Sequence, residues 1–298
     1  MPRRSGRRPS PATVFFALLS LALGITLYLK SRPAPEPPVS HAPVAIPTHA
    51  PSVRRAPPTR GAARVPTESA QPGPGAPARP GLAILIDDLG NDPAPARRIA
   101  GWPEPVSGAV LPGLAYSAAS AKALSDGGKQ VLLHLPMEPQ GYPRVRPGPG
   151  VVLRAQSDGE IERTLESDLA TVPGAAGVNN HMGSAATADP RVMHAVARVL
   201  SRRGLFFVDS RTTEATVAER TAEEESVPSA RRRVFLDDVA TEAAVRAQLD
   251  EAIARAKAEG GAIAIGHPYP ATLSVLEKEL PGMAERGVRL VKVGELVR

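Results

Sequence analysis

The sequence contains no cysteine among its 298 residues. Disulfide bonds and thiolate metal ligands are therefore excluded, and any metal site has to be built from histidine, carboxylate or other oxygen ligands. Aromatic residues make up only 3% of the chain, so few rings are available to stack on a ligand.

A basic surface is also missing from most of the chain, although the formal net charge is +6. Residues 1–80 hold 11 Lys and Arg against 2 Asp and Glu, whereas residues 81–298 hold 25 against 28. The positive charge belongs to the N-terminal part, and the rest is slightly acidic. Composition therefore gives no support for a nucleic-acid-binding face, and we expect no nucleic-acid partner.

Residues 13–29 form a continuous apolar stretch without charge, and it is preceded by Arg3, Arg4, Arg7 and Arg8. Its length is at the short end of the roughly 17–25 residues of a spanning helix and exceeds the roughly 7–15 of a signal-peptide core. No Ala-x-Ala cleavage site follows it. We therefore predict an uncleaved signal anchor in the inner membrane, with a basic cytoplasmic tail over 1–12 and the rest of the chain in the periplasm or outside the cell.

Residues 30–80 are rich in proline and poor in large apolar side chains, with 14 Pro in the 50 positions from 31 to 80. Such a segment cannot bury enough apolar surface to fold, so an extended, disordered linker is predicted. We interpret it as a tether between the membrane and a domain that spans residues 81–298.

From residue 81 onward, short apolar runs alternate with longer stretches of helical pattern, which is typical of βα units around a parallel sheet. The strands are predicted at 82–86, 106–110, 131–135, 175–179, 205–208, 233–236, 262–265 and 289–293. The helices are predicted at 94–100, 118–126, 158–171, 190–203, 213–226, 241–259 and 271–286. Seven or eight such units favour an α/β fold with a distorted (β/α) barrel over a flat doubly wound sheet.

The first predicted strand is an unbroken apolar run that ends in Asp87, Asp88 and Gly90. A run without alternation indicates a strand that is buried on both faces. Because neighbouring side chains point to opposite sides of a strand, only one of the two aspartates is expected to face a site if the strand geometry persists. Taken alone, the pair is more simply interpreted as a solvated strand end or a helix cap.

The same pattern recurs along the domain, because polar residues follow most of the predicted strands. They are Asp87 and Asp88, His134 and Glu138, Asn179 to His181, Asp209 to Arg211, Asp237 and Asp238, and His267. In a parallel barrel all of these strand ends meet on one face, where catalytic residues are found. Histidine and carboxylate without cysteine suit a hydrolytic site for zinc or a similar divalent ion, which polarises a carbonyl and activates water.

Five motifs resemble, in order, those of the divergent polysaccharide deacetylases: residues 86–90 (IDDLG), 132–139 (LLHLPMEP), 178–184 (VNNHMGS), 209–212 (DSRT) and 265–268 (IGHP). That family is related to carbohydrate esterases with a distorted (β/α) barrel. The resemblance implies Asp87 as the base, Asp88 and His134 as metal ligands, and His267 as the acid that protonates the leaving amine.

One position departs from the pattern of the wider superfamily, because Glu138 stands where a second metal-binding histidine is expected. Either Glu138 is a ligand, or His181 completes the site, or the metal is lost; we prefer His181. We assign roles in positioning the substrate to Asn180, Asp209, Arg211 and Tyr269.

The resemblance implies hydrolysis of an N-acetyl group from an amino sugar in an envelope polysaccharide or in peptidoglycan, with a divalent metal, expected to be zinc. A catalytically degenerate protein that binds glycan or a cell-wall partner is the alternative, favoured by Glu138 and by the shortage of the aromatic faces that hold sugar rings. A serine hydrolase is disfavoured, since there is no Gly-x-Ser-x-Gly motif. A glycosidase that pairs Asp88 with Asp209 or Asp238 stays open.

Overall fold

The computed structural model describes residues 79–298. The predicted anchor at 13–29 and nearly all of the predicted linker at 30–80 lie outside the described residues. Within the described range, none of the helices is both long enough and apolar enough to span a bilayer.

Strands and helices alternate along the described chain. The strands, β1 to β9 in chain order, are Gly81–Leu89, Ser107–Val110, Gln130–Met137, Gly177–Met182, Phe206–Asp209, Ser229–Arg231, Val234–Phe235, Gly261–Gly266 and Arg289–Val291. The helices, α1 to α7, are Pro93–Ala100, Ser117–Asp126, Asp158–Thr171, Pro190–Arg203, Ala218–Glu224, Glu242–Glu259 and Pro270–Glu279. Short 3₁₀ helices follow at Leu280–Gly282 and Val293–Glu295.

The strands form one sheet in the order β6-β5-β4-β3-β2-β1-β8-β7, with β9 beside the first residues of β1. The pairs between these strands are parallel. The two edge strands, β6 and β7, are separated only by Arg232 and Arg233. Because two residues bridge the edges, the sheet has to curl until those edges approach each other. The predicted α/β class is therefore confirmed, and in place of the predicted distorted (β/α) barrel the structure has a curled parallel sheet with helices.

Several element boundaries differ from the prediction for local reasons. The strand predicted at 233–236 is split, because the chain pairs with β5 through Ser229–Arg231 and then with β8 through Val234–Phe235. The helix predicted at 271–286 ends at Glu279, because Pro281 cannot donate the hydrogen bond that an α-helix requires. The helices predicted at 158–171 and 190–203 have the predicted bounds.

Side chains of β1 alternate between two apolar cores, which confirms the prediction of a strand buried on both faces. Leu82, Ile84 and Ile86 pack in the larger core between the sheet and the helices. Ala83 and Leu85 pack in the smaller core inside the curled sheet. Asp87 is the next residue of β1 after Ala83 and Leu85 to point inside the curled sheet. Its side chain therefore lies at the C-terminal end of the interior of the sheet.

The 3₁₀ helix Val293–Glu295 closes the opposite, N-terminal end of the interior. Val293 is fully buried, and its backbone N–H donates to Ser107 Oγ at 3.1 Å. The N–H of Gly294 donates to Gln130 Oε1 at 2.8 Å. This end of the interior is therefore closed by backbone, by apolar side chains and by two hydrogen-bonded polar side chains, whereas the buried histidine and aspartates lie at the other end.

Candidate metal centre

Both Asp87 and Asp88 face the same site, because the condition under which one of them would turn away, continued strand geometry, is not met. Asp88 has a φ of 56°, so the backbone leaves strand geometry at this residue. The register between β1 and β2 shifts between Ile86 and Leu89 as a result. Aspartate is one of the few residues other than glycine that adopt this left-handed conformation at modest cost. The turn brings the second carboxylate round to the side of the first.

Asp88, His134 and His181 bring one ligand atom each into a compact triangle. Asp88 Oδ1 lies 3.2 Å from His134 Nε2 and 3.0 Å from His181 Nδ1. The two nitrogens are 3.1 Å apart. Three ligands that hold zinc at about 2.0–2.1 Å in tetrahedral geometry lie about 3.3–3.4 Å from one another. The triangle thus has nearly the size, and the ligand types, of a three-residue zinc site with a fourth position open.

The triangle also contains a ligand atom whose charge is left without a hydrogen-bond partner. Asp88 Oδ1 is buried and accepts no hydrogen bond of good geometry, although two histidine nitrogens are close to it. Burial by itself would raise the pKa of Asp88, but the two histidines outweigh it and hold that pKa below its usual range. Burial likewise opposes charge on His134, whose pKa is nevertheless raised by Asp87 and Asp88. The carboxylates therefore attract positive charge to the point where the three ligand atoms meet.

Asn179 joins His134 to Asp87 at the centre of the site. Its Oδ1 lies 3.0 Å from His134 Nδ1. Its Nδ2 donates to both oxygens of Asp87, at 2.9 and 3.1 Å, and lies 3.2 Å from Ser210 Oγ. No role was predicted for Asn179 from the sequence. The available signal was its place two residues before His181, which puts both side chains on the inner face of β4.

His267 lies on the other side of Asp88, with its Nε2 3.7 Å from Asp88 Oδ2. Its Nδ1 is 3.0 Å from Asp237 Oδ1, and its backbone N–H donates to Asp237 Oδ2 at 2.6 Å. Asp237 is buried and also accepts a hydrogen bond from Thr272. Burial opposes charge on His267, but the bond to Asp237 and the charges of Asp88 and Asp87 raise its pKa. Nε2 of His267 is therefore an available proton donor.

Asp87 is suited to the complementary role of proton acceptor. Burial raises the pKa of this carboxyl, and the charges of His134 and His267 partly offset that effect. A carboxylate with a raised pKa holds a proton more readily than an exposed one. The structure thus brings a candidate base, a candidate acid and three candidate ligands together, as the sequence analysis expected for residues at the C-terminal ends of the strands.

Two residues named in the sequence analysis lie away from the triangle. Glu138 accepts hydrogen bonds from the backbone N–H and from Nε of Arg154, at 2.7 and 3.1 Å. Within residues 79–298 the metal-binding group consists of Asp88, His134 and His181, so the geometry favours His181 over Glu138 as third ligand. Asn180 is buried and points away from Asn179, with its amide bonded to the backbone of Ser210 and Met182. That placement does not support direct contact between Asn180 and a substrate.

The other residues expected to position a substrate are Asp209, the last residue of β5, and Arg211 and Tyr269, which lie in loops. Asp209 is buried and accepts bonds from the N–H of Arg211 at 2.8 Å and from Thr216 Oγ1 at 2.9 Å, and burial raises its pKa. Arg211 has a φ of 50°, so Asp209 stabilises the turn that carries it. Tyr269 is half exposed, and its ring lies 5.5 Å from the ring of His267. Arg232 was not identified from the sequence; its Nε donates to Ser210 O at 2.7 Å.

A cavity of about 910 Å³ opens at the opposite end of the sheet and takes no part in this site. It lies between the first residues of β6 and β8, and Glu219, Arg231 and Arg233 are among its lining residues. The three residues that form the triangle are all at the C-terminal ends of the strands.

The fold and the three ligand atoms define an α/β protein with a candidate metal centre at the C-terminal ends of its strands. The sequence profile of the divergent polysaccharide deacetylases matches residues 84–297. The chain belongs to the divergent polysaccharide deacetylase family.

The chain is also similar to three uncharacterized proteins. Over 217 residues the chain is 40% identical to the uncharacterized protein YibQ of Escherichia coli K12. This alignment covers 72% of this chain and 67% of YibQ. The chain is 39% identical over 217 residues to an uncharacterized protein of Haemophilus influenzae, which covers 73% of this chain and 76% of that protein. The crystal structure of an uncharacterized protein from Agrobacterium tumefaciens C58 matches with a TM-score of 0.71 at 26% identity, covering 76% of this chain and 93% of that one.

Proposed function

We propose that this protein is a metal-dependent hydrolase that removes N-acetyl groups from amino sugars in an envelope polysaccharide or in peptidoglycan. The observation that carries the proposal is the triangle of Asp88, His134 and His181, which lies between a buried carboxylate, Asp87, and an oriented histidine, His267. Membership of the divergent polysaccharide deacetylase family supports the carbohydrate substrate and the amide bond.

The residues of the triangle fit a divalent ion, and we propose zinc because the ligands are two imidazoles and one carboxylate. When bound, such an ion polarises the acetyl carbonyl and lowers the pKa of a water molecule. Asp87 accepts the proton of the attacking water. Asn179 keeps the Asp87 carboxylate in place through two hydrogen bonds.

His267 supplies the second proton transfer. Its Nδ1 is engaged with Asp237, so its Nε2 is the nitrogen that faces the site. When the carbon–nitrogen bond breaks, Nε2 of His267 donates its proton to the amine that leaves. The raised pKa of His267, which comes from the bond to Asp237 and the charges of Asp88 and Asp87, favours the protonated form of this ring.

The exposed apolar side chains support an extended substrate. In the described part of the chain the exposed large apolar residues are Tyr116, Tyr142, Val145, Val239 and Tyr269. All five lie in loops that follow the C-terminal ends of strands, on the side of the metal centre. The backbone of Tyr116 bonds to Gly90 just beyond the two aspartates, and Tyr269 packs beside His267. Tyrosine rings around a site offer flat apolar faces and hydroxyl groups to a glycan.

We also propose that the enzyme works outside the cytoplasm, attached to the inner membrane through residues 13–29. The support is the charge-free apolar stretch with its N-terminal arginines. Alkaline extraction of membranes checks this proposal: an anchored protein stays in the membrane fraction, and recovery in the soluble fraction would contradict it.

The function is tested with purified full-length protein, zinc reconstitution and desalting. Zinc content is measured by mass spectrometry, and acetate release is measured on polymers of N-acetylated amino sugars. Wild type is expected to hold about one zinc per chain, and Asp88→Asn and His181→Ala to lose most of it. Glu138→Gln is the matched control, because Glu138 bonds to Arg154 outside the triangle and its substitution leaves zinc in place.

The alternatives left open by the sequence give different results in the same experiment. Zinc lost from Glu138→Gln but kept in His181→Ala would make Glu138 the ligand. A folded wild type that holds no metal and releases no acetate would overturn the hydrolase, and retained binding to the glycan would then establish a non-catalytic glycan-binding protein.

A further inference from the structure

Asn179 occupies the centre of the site without being a ligand, a base or an acid. It lies opposite His134 in the pairing of β3 with β4, and none of its surface is exposed. Its amide contacts the metal-ligand histidine on one side and the carboxylate of Asp87 on the other. A single side chain of two polar atoms therefore connects the residues that bind the metal with the residue that accepts the proton.

The orientation of this amide is determined by its neighbours. An ionised Asp87 carboxylate only accepts hydrogen bonds, so the NH₂ group of Asn179 has to face it. Oδ1 of Asn179 then faces His134, which has to donate from Nδ1. A neutral imidazole with its hydrogen on Nδ1 has a free lone pair on Nε2. That Nε2 is the atom in the triangle with Asp88 and His181.

The chemistry also explains why residue 179 is an amide. Histidine ligands in metal sites often donate their second N–H to a carboxylate, which fixes the ring in the same way. A carboxylate at residue 179 would face Asp87 at about the same distance as the present amide, with no hydrogen to share between them. An aliphatic side chain of the same size would leave both His134 and Asp87 without this partner. Only an acceptor and a donor on one short side chain satisfy both neighbours.

We propose that Asn179 is a positioning residue that acts on both halves of the site: it selects the metal-binding nitrogen of His134 and fixes the Asp87 carboxylate toward the attacking water. This inference rests on the proposed function. It predicts that the two effects can be separated, because one polar atom of the amide serves each of them.

Two substitutions separate the two contacts. Asn179→Leu has nearly the same size and removes both the acceptor for His134 and the donor for Asp87. Asn179→Asp keeps an acceptor for His134 and removes the donor. The matched control is Asn180→Ala, since Asn180 is the next residue on β4, is equally buried, and bonds to the backbone of Ser210 and Met182 instead of to His134 or Asp87.

The measurements are the zinc dissociation constant of the full-length protein, by competition with a chromophoric chelator, and the turnover number for acetate release. For Asn179→Leu we expect zinc binding about 10–100-fold weaker than wild type, as for the loss of other partners of metal ligands. For Asn179→Asp we expect zinc binding at least as tight as wild type but turnover lower by about tenfold or more. Asn180→Ala is expected to melt at a lower temperature with its zinc dissociation constant unchanged.

The outcomes that overturn the inference are specific. Asn179→Leu that binds zinc as tightly as wild type, in protein with an unchanged circular dichroism spectrum, would show that Asn179 does not select the nitrogen of His134. If Asn179→Leu does not fold, Asn179→Asp decides, and zinc affinity falling together with turnover would overturn the separation of the two roles. Failure of the proposed function looks different, because wild type itself would then bind no zinc and release no acetate, which overturns both.

Discussion

The N-terminal and C-terminal ends of the strands in the curled sheet differ in backbone conformation and in the residues that are buried there. At the N-terminal ends, β1, β4 and β8 begin with Gly81, Gly177 and Gly261, and apolar side chains such as Leu296 and Phe206 pack directly on these glycines. At the C-terminal ends, Asp88, Met182 and Arg211 adopt left-handed conformations, against Ser226 alone among non-glycine residues near the N-terminal ends, and polar side chains are buried against one another. One end gains close packing, while the other holds strained backbone and partly balanced charge. We infer that stability is concentrated at the first end and chemistry at the second.

The largest effect is expected for Asp87→Asn at the C-terminal end. The substitution removes the proton acceptor but leaves Asp88, His134 and His181 in place, so acetate release should fall by about 10²–10⁴-fold while zinc stays bound. Turnover and zinc content are measured on the same sample. Loss of zinc together with activity would place Asp87 among the ligands instead.

A smaller effect is expected for Asp237→Asn, which weakens the acceptor that orients His267. His267 is still present, but its ring is held less firmly and its protonated form is less stabilised. Turnover should therefore fall by about 10–100-fold with zinc content unchanged. The melting temperature is measured in parallel. Activity equal to wild type would show that His267 does not need the carboxylate of Asp237 for its role in turnover.

For the N-terminal ends of the strands we predict the reverse, a substitution that lowers stability and leaves turnover unchanged. A Cβ at residue 177 would lie 2.4 to 2.6 Å from ring atoms of Phe206. Gly177→Ala should therefore lower the free energy of unfolding by about 1–3 kcal/mol, because the ring has to move in a packed interior. Denaturant unfolding measures this loss, and the turnover of the folded fraction should equal wild type. Reduced turnover at unchanged stability would contradict the division between the two ends.

The smallest effect concerns a buried carboxylate outside the site. Asp168 on α3 is packed against Gly150, its Oδ2 has no hydrogen-bond partner, and burial raises its pKa to about 8. Because the pKa is raised on folding, the contribution of Asp168 to stability is complete below about pH 4 and is lost as the pH rises to about 8.

Asp168→Asn removes this dependence on pH. The variant should gain about 1–2 kcal/mol over wild type between pH 5 and pH 9, less than the full linkage because local relaxation admits water. Denaturant midpoints at the two pH values measure the gain. A difference between variant and wild type that does not change with pH would show that Asp168 keeps one protonation state throughout.

Local signals in the sequence were sufficient to predict much of the fold. The predicted bounds of α4 agree with the structure, in which Asp189 accepts from the N–H groups of the first turn and Gly204 ends the helix in a left-handed conformation. The unbroken apolar run of β1 correctly indicated burial on both faces. The division of residues 229–235 between two partner strands was not predictable, because it depends on which distant strand lies beside each half.

The candidate site was predictable only in part. The positions of His134, His181 and His267 at the C-terminal ends of strands were enough to predict that they lie on one face. The left-handed turn at Asp88 was not predicted, since strand alternation is the default for an apolar run. The contacts of Asn179 and of Glu138 depend on atoms that are far apart in sequence, and periodicity carries no information about them.

The place of β1 in the sheet has a consequence for the order of folding. β1 lies between β2 and β8, and its residues Gly81–Ile86 pair with Gly261–Gly266 near the other end of the domain. Contacts over such long sequence separations slow folding, because a long loop must close before they form. Until β8 is synthesised, the most apolar strand exposes an unpaired edge of the kind that promotes aggregation. The first strand of the domain to be made is therefore among the last to be completed.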